Sequence, residues 1–177
     1  MRQNNYHICA PILLTIIMLL CASCQQKPQP VRNLSEKQEV DSTLMAQLQL
    51  NTHLAELADK ECQIAIKADS THQYTIDDYG FWYTKTISTK EDEIQEEQEI
   101  TLNIKIYYLD EQLISDSQIT THIAASRFPI AITRSIKKMR LGEQMRIISP
   151  WYAAYGVEGT SIIKPYSNLL IILTIEQ

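Results

Sequence analysis

Glycine is scarce in this chain. There are four in 177 residues, and Gly142, Gly156 and Gly159 fall in one stretch near the C-terminus. Glycine marks backbone that turns sharply or takes positive φ, so the special geometry is concentrated there. Cysteine is scarce as well. Cys9, Cys21 and Cys24 crowd the N-terminus and leave Cys62 alone in the body of the chain. A lone thiol excludes an intrachain disulfide, and Cys62 reads as a small packed hydrophobe. His53, His72 and His122 are scattered. No Ser-His-Asp, Cys-His or multi-His constellation supports hydrolytic chemistry. Excess positive charge is also missing. With 16 Lys and Arg against 21 Asp and Glu, the formal net charge is −5, a poor match for nucleic acid or an anionic membrane surface. The acidic run Glu91-Asp92-Glu93 with Glu96-Glu97 lacks the turn residues that converge carboxylates on a hard cation. It reads as a solvated loop, and neither a metal nor a cofactor is expected.

A short apolar run opens the chain. Ile8 to Leu20, interrupted by Pro11, spans about 13 residues against the roughly 20 that a membrane-crossing helix needs. With Arg2 ahead of it, the run has the form of a signal-peptide core. It ends at Cys21-Ala22-Ser23-Cys24, small side chains before a cysteine, like a bacterial lipobox. Residues 1–23 are therefore expected to be a lipoprotein signal peptide. Cys24 is expected to carry the acyl chains that hold the protein to a lipid bilayer. Cys21 stands where such boxes usually have leucine. Residues 24–41, with Pro28 and Pro30, read as a polar tether.

From Ser42 to Lys67 the pattern is helical. Leu44, Leu48, Ala55, Ala58, Cys62 and Ala65 share one side, and Leu50, Leu54, Leu57 and Ile64 lie beside them. So wide an apolar arc must dock, on the chain's own domain or on a partner or second copy. Residues 42–78 are taken as this helix and a linker. Tyr79-Gly80-Phe81-Trp82-Tyr83 through Ile87 reads as an aromatic strand. Ile100, Leu102, Ile104, Ile106 and Tyr108 alternate with polar residues, giving a half-buried strand with even positions inward. Asp110-Glu111 makes a turn, and the chain continues extended to Ser117. Ile130 to Arg140 is a short helix stopped by Gly142. Gln144–Ser149 is a strand, residues 150–165 a long loop, and Asn168–Ile175 a buried central strand.

The order of these parts resembles the FKBP-type peptidyl-prolyl isomerases. The residues that carry the likeness are Met139 with Gly142-Glu143, a strand ending at Pro150, Ala154-Tyr155-Gly156 opening a loop, and Pro165 before the last strand. The match covers about residues 79–176. The aromatic strand behind an N-terminal helix is further similar to gliding-motility-associated FKBP-like lipoproteins of the gram-negative envelope. The resemblance implies an α+β fold, an antiparallel β-sheet wrapped around a short helix in residues 79–177, preceded by the amphipathic helix.

Rotating an X-Pro bond needs no nucleophile, base or metal. Its barrier, roughly 18–20 kcal/mol, comes from amide resonance. A site lowers it by gripping the prolyl ring and favouring a twisted amide. The resemblance makes Tyr155 the loop tyrosine that hydrogen-bonds a substrate carbonyl and Ile163 the apolar residue late in that loop. The family's floor tryptophan falls on Ile132, the phenylalanine after the turn on Ile114 and the last-strand phenylalanine on Ile171. The family's aspartate falls on Ser115, with Asp116 one residue late. The first-strand tyrosine falls on Ile104, with Tyr108 on the same strand face. Phe128 supplies an aromatic wall beside the short helix, and Trp151 lies in the loop within reach of the site rim. The loop is one residue longer than usual, and Lys164 replaces a common proline. Isoleucines in place of aromatics lose stacking area, so weakened isomerase activity on proline-containing polypeptides is expected. The expected setting is an envelope lipoprotein, anchored in the outer membrane and facing the periplasm, that assists folding of exported proteins. The rival is a non-catalytic FKBP-like chaperone or assembly module.

Overall fold

The structure, a computed structural model, describes residues 34–95, 97–122 and 127–176, with side chains from residue 41 onward. The lipobox with Cys24, the signal peptide and the tether up to residue 33 lie outside the described residues. Met45–Gln177 form one compact unit. No described helix is long and apolar enough to cross a membrane.

Helix α1 spans Leu34–Ala68. It therefore starts inside the stretch read as tether. Residues 34–41 contain no Gly or Pro and are rich in Glu, Lys and Gln, which are good helix formers. They lack an apolar period, so the pattern that marks the rest of the helix does not reveal them. The helix ends where the Asp69 N–H reaches the Ala65 carbonyl at 3.1 Å. The Asp69 carboxylate then takes hydrogen bonds from the Thr71 amide and hydroxyl.

Six strands follow: β1 Thr75–Ile76, β2 Trp82–Ile87, β3 Glu99–Tyr108, β4 Leu113–His122, β5 Gln144–Ser149 and β6 Leu169–Ile175. They make one sheet in the order β1-β2-β5-β6-β3-β4. Every neighbouring pair is antiparallel. Helix α2, Ile130–Ile136, lies between β4 and β5 in the chain. This is the expected α+β architecture, an antiparallel sheet with a short helix behind an N-terminal one.

Two local differences have clear causes. Tyr79 and Gly80 belong to a turn closed by the Gly80 N–H on the Asp77 carbonyl at 2.9 Å, so β2 begins at Trp82. Helix α2 stops at Ile136, where the Lys138 and Met139 amides bond three residues back in a tight turn. Gly142 serves the turn into β5 and donates its N–H to Ile175.

The strict alternation of β3 puts Leu102, Ile104 and Ile106 on one face. There they join Ile132 and Ile136 of α2, Met145 and Ile147 of β5, and Ile171 and Leu173 of β6. Ile148 and Leu170 point to the other face and meet Cys62, Ala65 and Ile66 of α1. The sheet is thus sandwiched between the two helices. Of the wide apolar arc of α1, the small-residue side docks. Ala58 and Cys62 are buried, while Leu50, Leu57 and Ile64 on the bulkier side are 55, 40 and 67% exposed. Polar contacts fix the docking. The Trp151 indole N–H donates to the Leu54 carbonyl at 3.5 Å, Tyr152 donates to Asp59, and Asn168 to Glu61. Burial, reinforced by nearby Asp59 and Glu61, pushes the Cys62 thiol up to about 12, which makes it an inert packing group.

Candidate prolyl-binding site

The site is built on the chain between β5 and β6. Pro150 ends β5, residues Trp151–Ala153 make one 3₁₀ turn, and Tyr155 follows. Main-chain bonds then pin the loop. The Gly156 N–H reaches Trp151, the Gly159 N–H reaches Tyr155, the Thr160 N–H reaches Ile163, and the Tyr166 N–H reaches Gly156. The Thr160 hydroxyl accepts the Ile163 amide at 3.0 Å. Tyr155 and Ile163 are therefore held by backbone geometry as well as packing.

Tyr155 is half-buried against the main core, and burial raises the pKa of its phenol. The hydroxyl stays protonated across ordinary pH. Among the described residues it has no hydrogen-bond partner, so its proton is available to a ligand.

Four other partly buried apolar side chains of the sequence reading or its neighbourhood pack on the same core: Tyr108, Ile114, Phe128 and Ile130. Tyr108 ends β3, and Lys164 places its ammonium 5.6 Å from the ring centre. Ile114 owes its position to a bulge. Ile106 faces Ser115 across the ladder and Tyr107 faces Leu113, which leaves Ile114 as the extra residue. Phe128 precedes α2, with its carbonyl accepting the Thr133 hydroxyl. Ile132, Ile163 and Ile171 belong to the buried part of that core, with exposures of 0, 2 and 0%. A ligand therefore meets the partly buried side chains before these three isoleucines, which can serve only as floor.

The register separates Asp116 from this group. It faces Lys105, and its carboxylate lies 3.2 Å from the Lys105 ammonium on the opposite side of the sheet from Ile104 and Ile106. The core-side position belongs to Ser115. Trp151 also turns away. It is 8% exposed, packs edge-on to Tyr166 and bonds to α1. Ile130 and Ala154 were not among the candidate site residues, although Ala154 stands in the loop motif, and both pack against the same core. Ile130 shares the apolar run of α2 with Ile132, which is the only signal that pointed to it.

Two ion-pair systems hold the frame. Glu143 is buried and accepts from the Lys85 ammonium at 2.7 Å and the Arg140 amide at 2.9 Å. Burial works to raise its pKa, but those partners win and hold the carboxyl below its usual range. Asp77 behaves alike. Burial opposes its charge, while the Tyr79 amide, Lys138 and Arg134 prevail, and the cluster ties α2 to the β1–β2 turn. No sequence pattern marks the Lys85–Glu143 pair, because its partners are 58 residues apart.

The arrangement offers apolar walls, a buried aliphatic floor and one phenolic donor. It offers no nucleophile beside a base, and among the described residues no group of His, Cys, Asp and Glu is placed to hold a metal ion. Such a site can grip a small apolar ring and donate to a carbonyl.

Residues 90–176 match the family model described as FKBP-type peptidyl-prolyl cis-trans isomerase. No curated protein sequence matches the chain. Among solved structures it is similar to FkpA from Escherichia coli, with a TM-score of 0.59 at 14% identity over 94% of this chain and 80% of that one. It is similar to a peptidyl-prolyl cis-trans isomerase from Pseudomonas syringae, with a TM-score of 0.55 at 16% identity over 70% of this chain and 94% of that one. The N-terminal domain of FKBP42 from Arabidopsis thaliana gives a TM-score of 0.51 at 15% identity over 58% of this chain and 89% of that one. At these identities the structural likeness speaks for the fold.

Proposed function

Because residues 90–176 of this chain form an FKBP-type peptidyl-prolyl isomerase domain, we propose that the protein is a weak prolyl isomerase acting on proline-containing segments of exported polypeptides. One observation supports the reading: the Tyr155 hydroxyl has no hydrogen-bond partner among the described residues, and Tyr155 packs on the same core as the partly buried Tyr108, Ile114, Phe128 and Ile130 and the buried Ile132, Ile163 and Ile171. In this mechanism those partly buried side chains take the prolyl ring and exclude water. Tyr155 donates to a substrate carbonyl, and the amide rotates without covalent chemistry. Asp116 has no part in it. Tyr155→Phe removes only the donor. Losing one such bond, about 0.5–1.5 kcal/mol, should lower kcat/KM roughly threefold to tenfold with an unchanged melting temperature. An unaltered rate in that variant excludes the role given to the hydroxyl.

A second reading, a non-catalytic chaperone or assembly module, is favoured by the isoleucines at the aromatic positions and by the uncovered stripe of α1. Leu50, Leu57 and Ile64 recur at seven-residue spacing and are exposed, as a contact with a partner or a second copy requires. Leu50→Asp with Leu57→Asp should shift the sedimentation profile and leave the melting temperature in place. An unshifted profile removes the self contact.

The same proposal places the protein in the bacterial cell envelope, lipid-anchored through Cys24 in the outer membrane and facing the periplasm. The lipobox-like Ala22-Ser23-Cys24 supports this. Cys24→Ser should abolish acyl labelling and release the protein from membranes. Persistent labelling would move the anchor to Cys21.

A further inference from the structure

We propose that the free edge of β4 is a strand-pairing site for an extended segment of the substrate, on the N-terminal side of the proline held beside Tyr155; this rests on the isomerase reading above. β4 is the outermost strand of the sheet, and among the described residues no strand pairs with its outer side. The opposite edge, β1, has only two residues and offers little to pair with. Pairing of β3 with β4 is unbroken from Glu99↔His122 to Ile106↔Ser115, so the edge is long and regular. Proteins usually blunt such an edge with Lys, Pro or a bulge along it. β4 contains neither Lys nor Pro. Its one carboxylate, Asp116, is neutralised across the ladder by Lys105, and His122 sits at the far end beside Glu99. Ile119 stands on the core-side face of the strand, opposite Leu102, and is 37% exposed.

The bulge lies only at Ile114, and this identifies the occupant. Ile114 is the second residue of the strand and packs on the same core as Tyr155. A polypeptide laid along residues 115–122 is therefore led to the prolyl site. Proline has no N–H to give to a ladder, and it falls where the bulge ends regular pairing. Main-chain pairing reads no particular sequence, which suits an enzyme whose clients share only a proline. The antiparallel sense is the more stable. β4 runs away from the site, so an antiparallel partner runs toward it, and its paired segment precedes the proline.

The test compares prolyl peptides in a protease-free isomerisation assay. One is a tetrapeptide, one carries six β-prone residues before the proline, and one carries the same six after it. Two or three net main-chain hydrogen bonds, each worth roughly threefold to tenfold in affinity, should lower KM for the upstream-extended peptide at least about tenfold with kcat unchanged. N-methylation of alternate amides in the extension should abolish the gain in one phase and spare it in the other. Ile119→Lys, an inward charge at the edge, should remove the gain and keep tetrapeptide turnover, whereas Ile119→Val should retain it. Equal KM for all three peptides, or a gain indifferent to N-methylation, overturns the proposal and leaves the isomerase reading intact. If no peptide is turned over but the upstream-extended one binds in fluorescence anisotropy with the same N-methyl pattern, the strand site stands and the isomerase reading falls. A dimer split by Ile119→Lys, with no peptide gain in the wild type, assigns the edge to a second copy and overturns the proposal.

Discussion

Replacing Gly159 with Ala should cut prolyl isomerisation by at least the roughly threefold to tenfold expected for loss of the Tyr155 hydroxyl, about one hydrogen bond, because the loop holding Tyr155 and Ile163 must move. Gly159 has φ +65, and an added Cβ would press on the Ile163 carbonyl oxygen and lie 2.8 Å from the Lys164 carbonyl carbon. Those are backbone atoms, so the loop itself must move. The Gly159 amide also bonds to the Tyr155 carbonyl, and the shift is passed to both ends of the site. The conformational cost is about 1–3 kcal/mol, which a sheet of this size withstands. Gly156→Ala is the control. Its φ of +72 carries the same backbone penalty, but nothing lies within 4 Å of the added Cβ. Circular dichroism should show both variants folded, with activity lost at 159 and largely kept at 156. Equal losses would mean that the loop geometry is not what positions Tyr155.

The second large effect concerns the floor. By family resemblance Ile132 occupies a tryptophan position, which suggests that Ile132→Trp would improve the enzyme. The packing argues the opposite. Ile132 has no exposed surface and lies in the core with Ala131, Ile136, Ile147 and Ile171. Forcing in an indole should cost about 1–3 kcal/mol through overpacking. Ile132→Ala should cost about 2–5 kcal/mol through the cavity it leaves. Urea titration should show lowered midpoints with unchanged slopes in both. An Ile132→Trp variant as stable as the wild type and faster would show that the floor has room.

The sheet was largely legible because period-2 alternation survives wherever one face is buried. β3 shows it from Ile100 to Tyr108, whereas β6 was legible as a nearly continuous apolar run, because Leu169, Ile171 and Leu173 meet the main core and Leu170 meets α1 on the other face. The helical period likewise revealed α1 from residue 42, but not residues 34–41, where good helix formers carry no apolar repeat. Which half of its arc docks was not legible either. The side with more large hydrophobes is exposed, because the small side chains of Ala58, Cys62 and Ala65 let the helix approach Ile148 and Leu170. Among the candidate site residues, Tyr155 and Ile163 were marked by motif and spacing. Asp116 was misplaced by one residue, and one residue in a strand exchanges faces. The bulge that turns Ile114 inward lies between strands and leaves no trace in either strand alone. The pairs Lys85–Glu143 and Asp77–Lys138 join distant segments, so only the folded chain brings them together.

Acceleration of X-Pro bond rotation by this site is measured directly as the relaxation rate of a prolyl peptide without a coupling protease. Uncatalysed relaxation takes tens to hundreds of seconds. The rate should rise linearly with protein concentration and fall roughly threefold to tenfold per molecule in Tyr155→Phe. A rate that stays at the uncatalysed value up to tens of micromolar protein, with peptide binding intact, would contradict the account and leave a binding module on an isomerase fold.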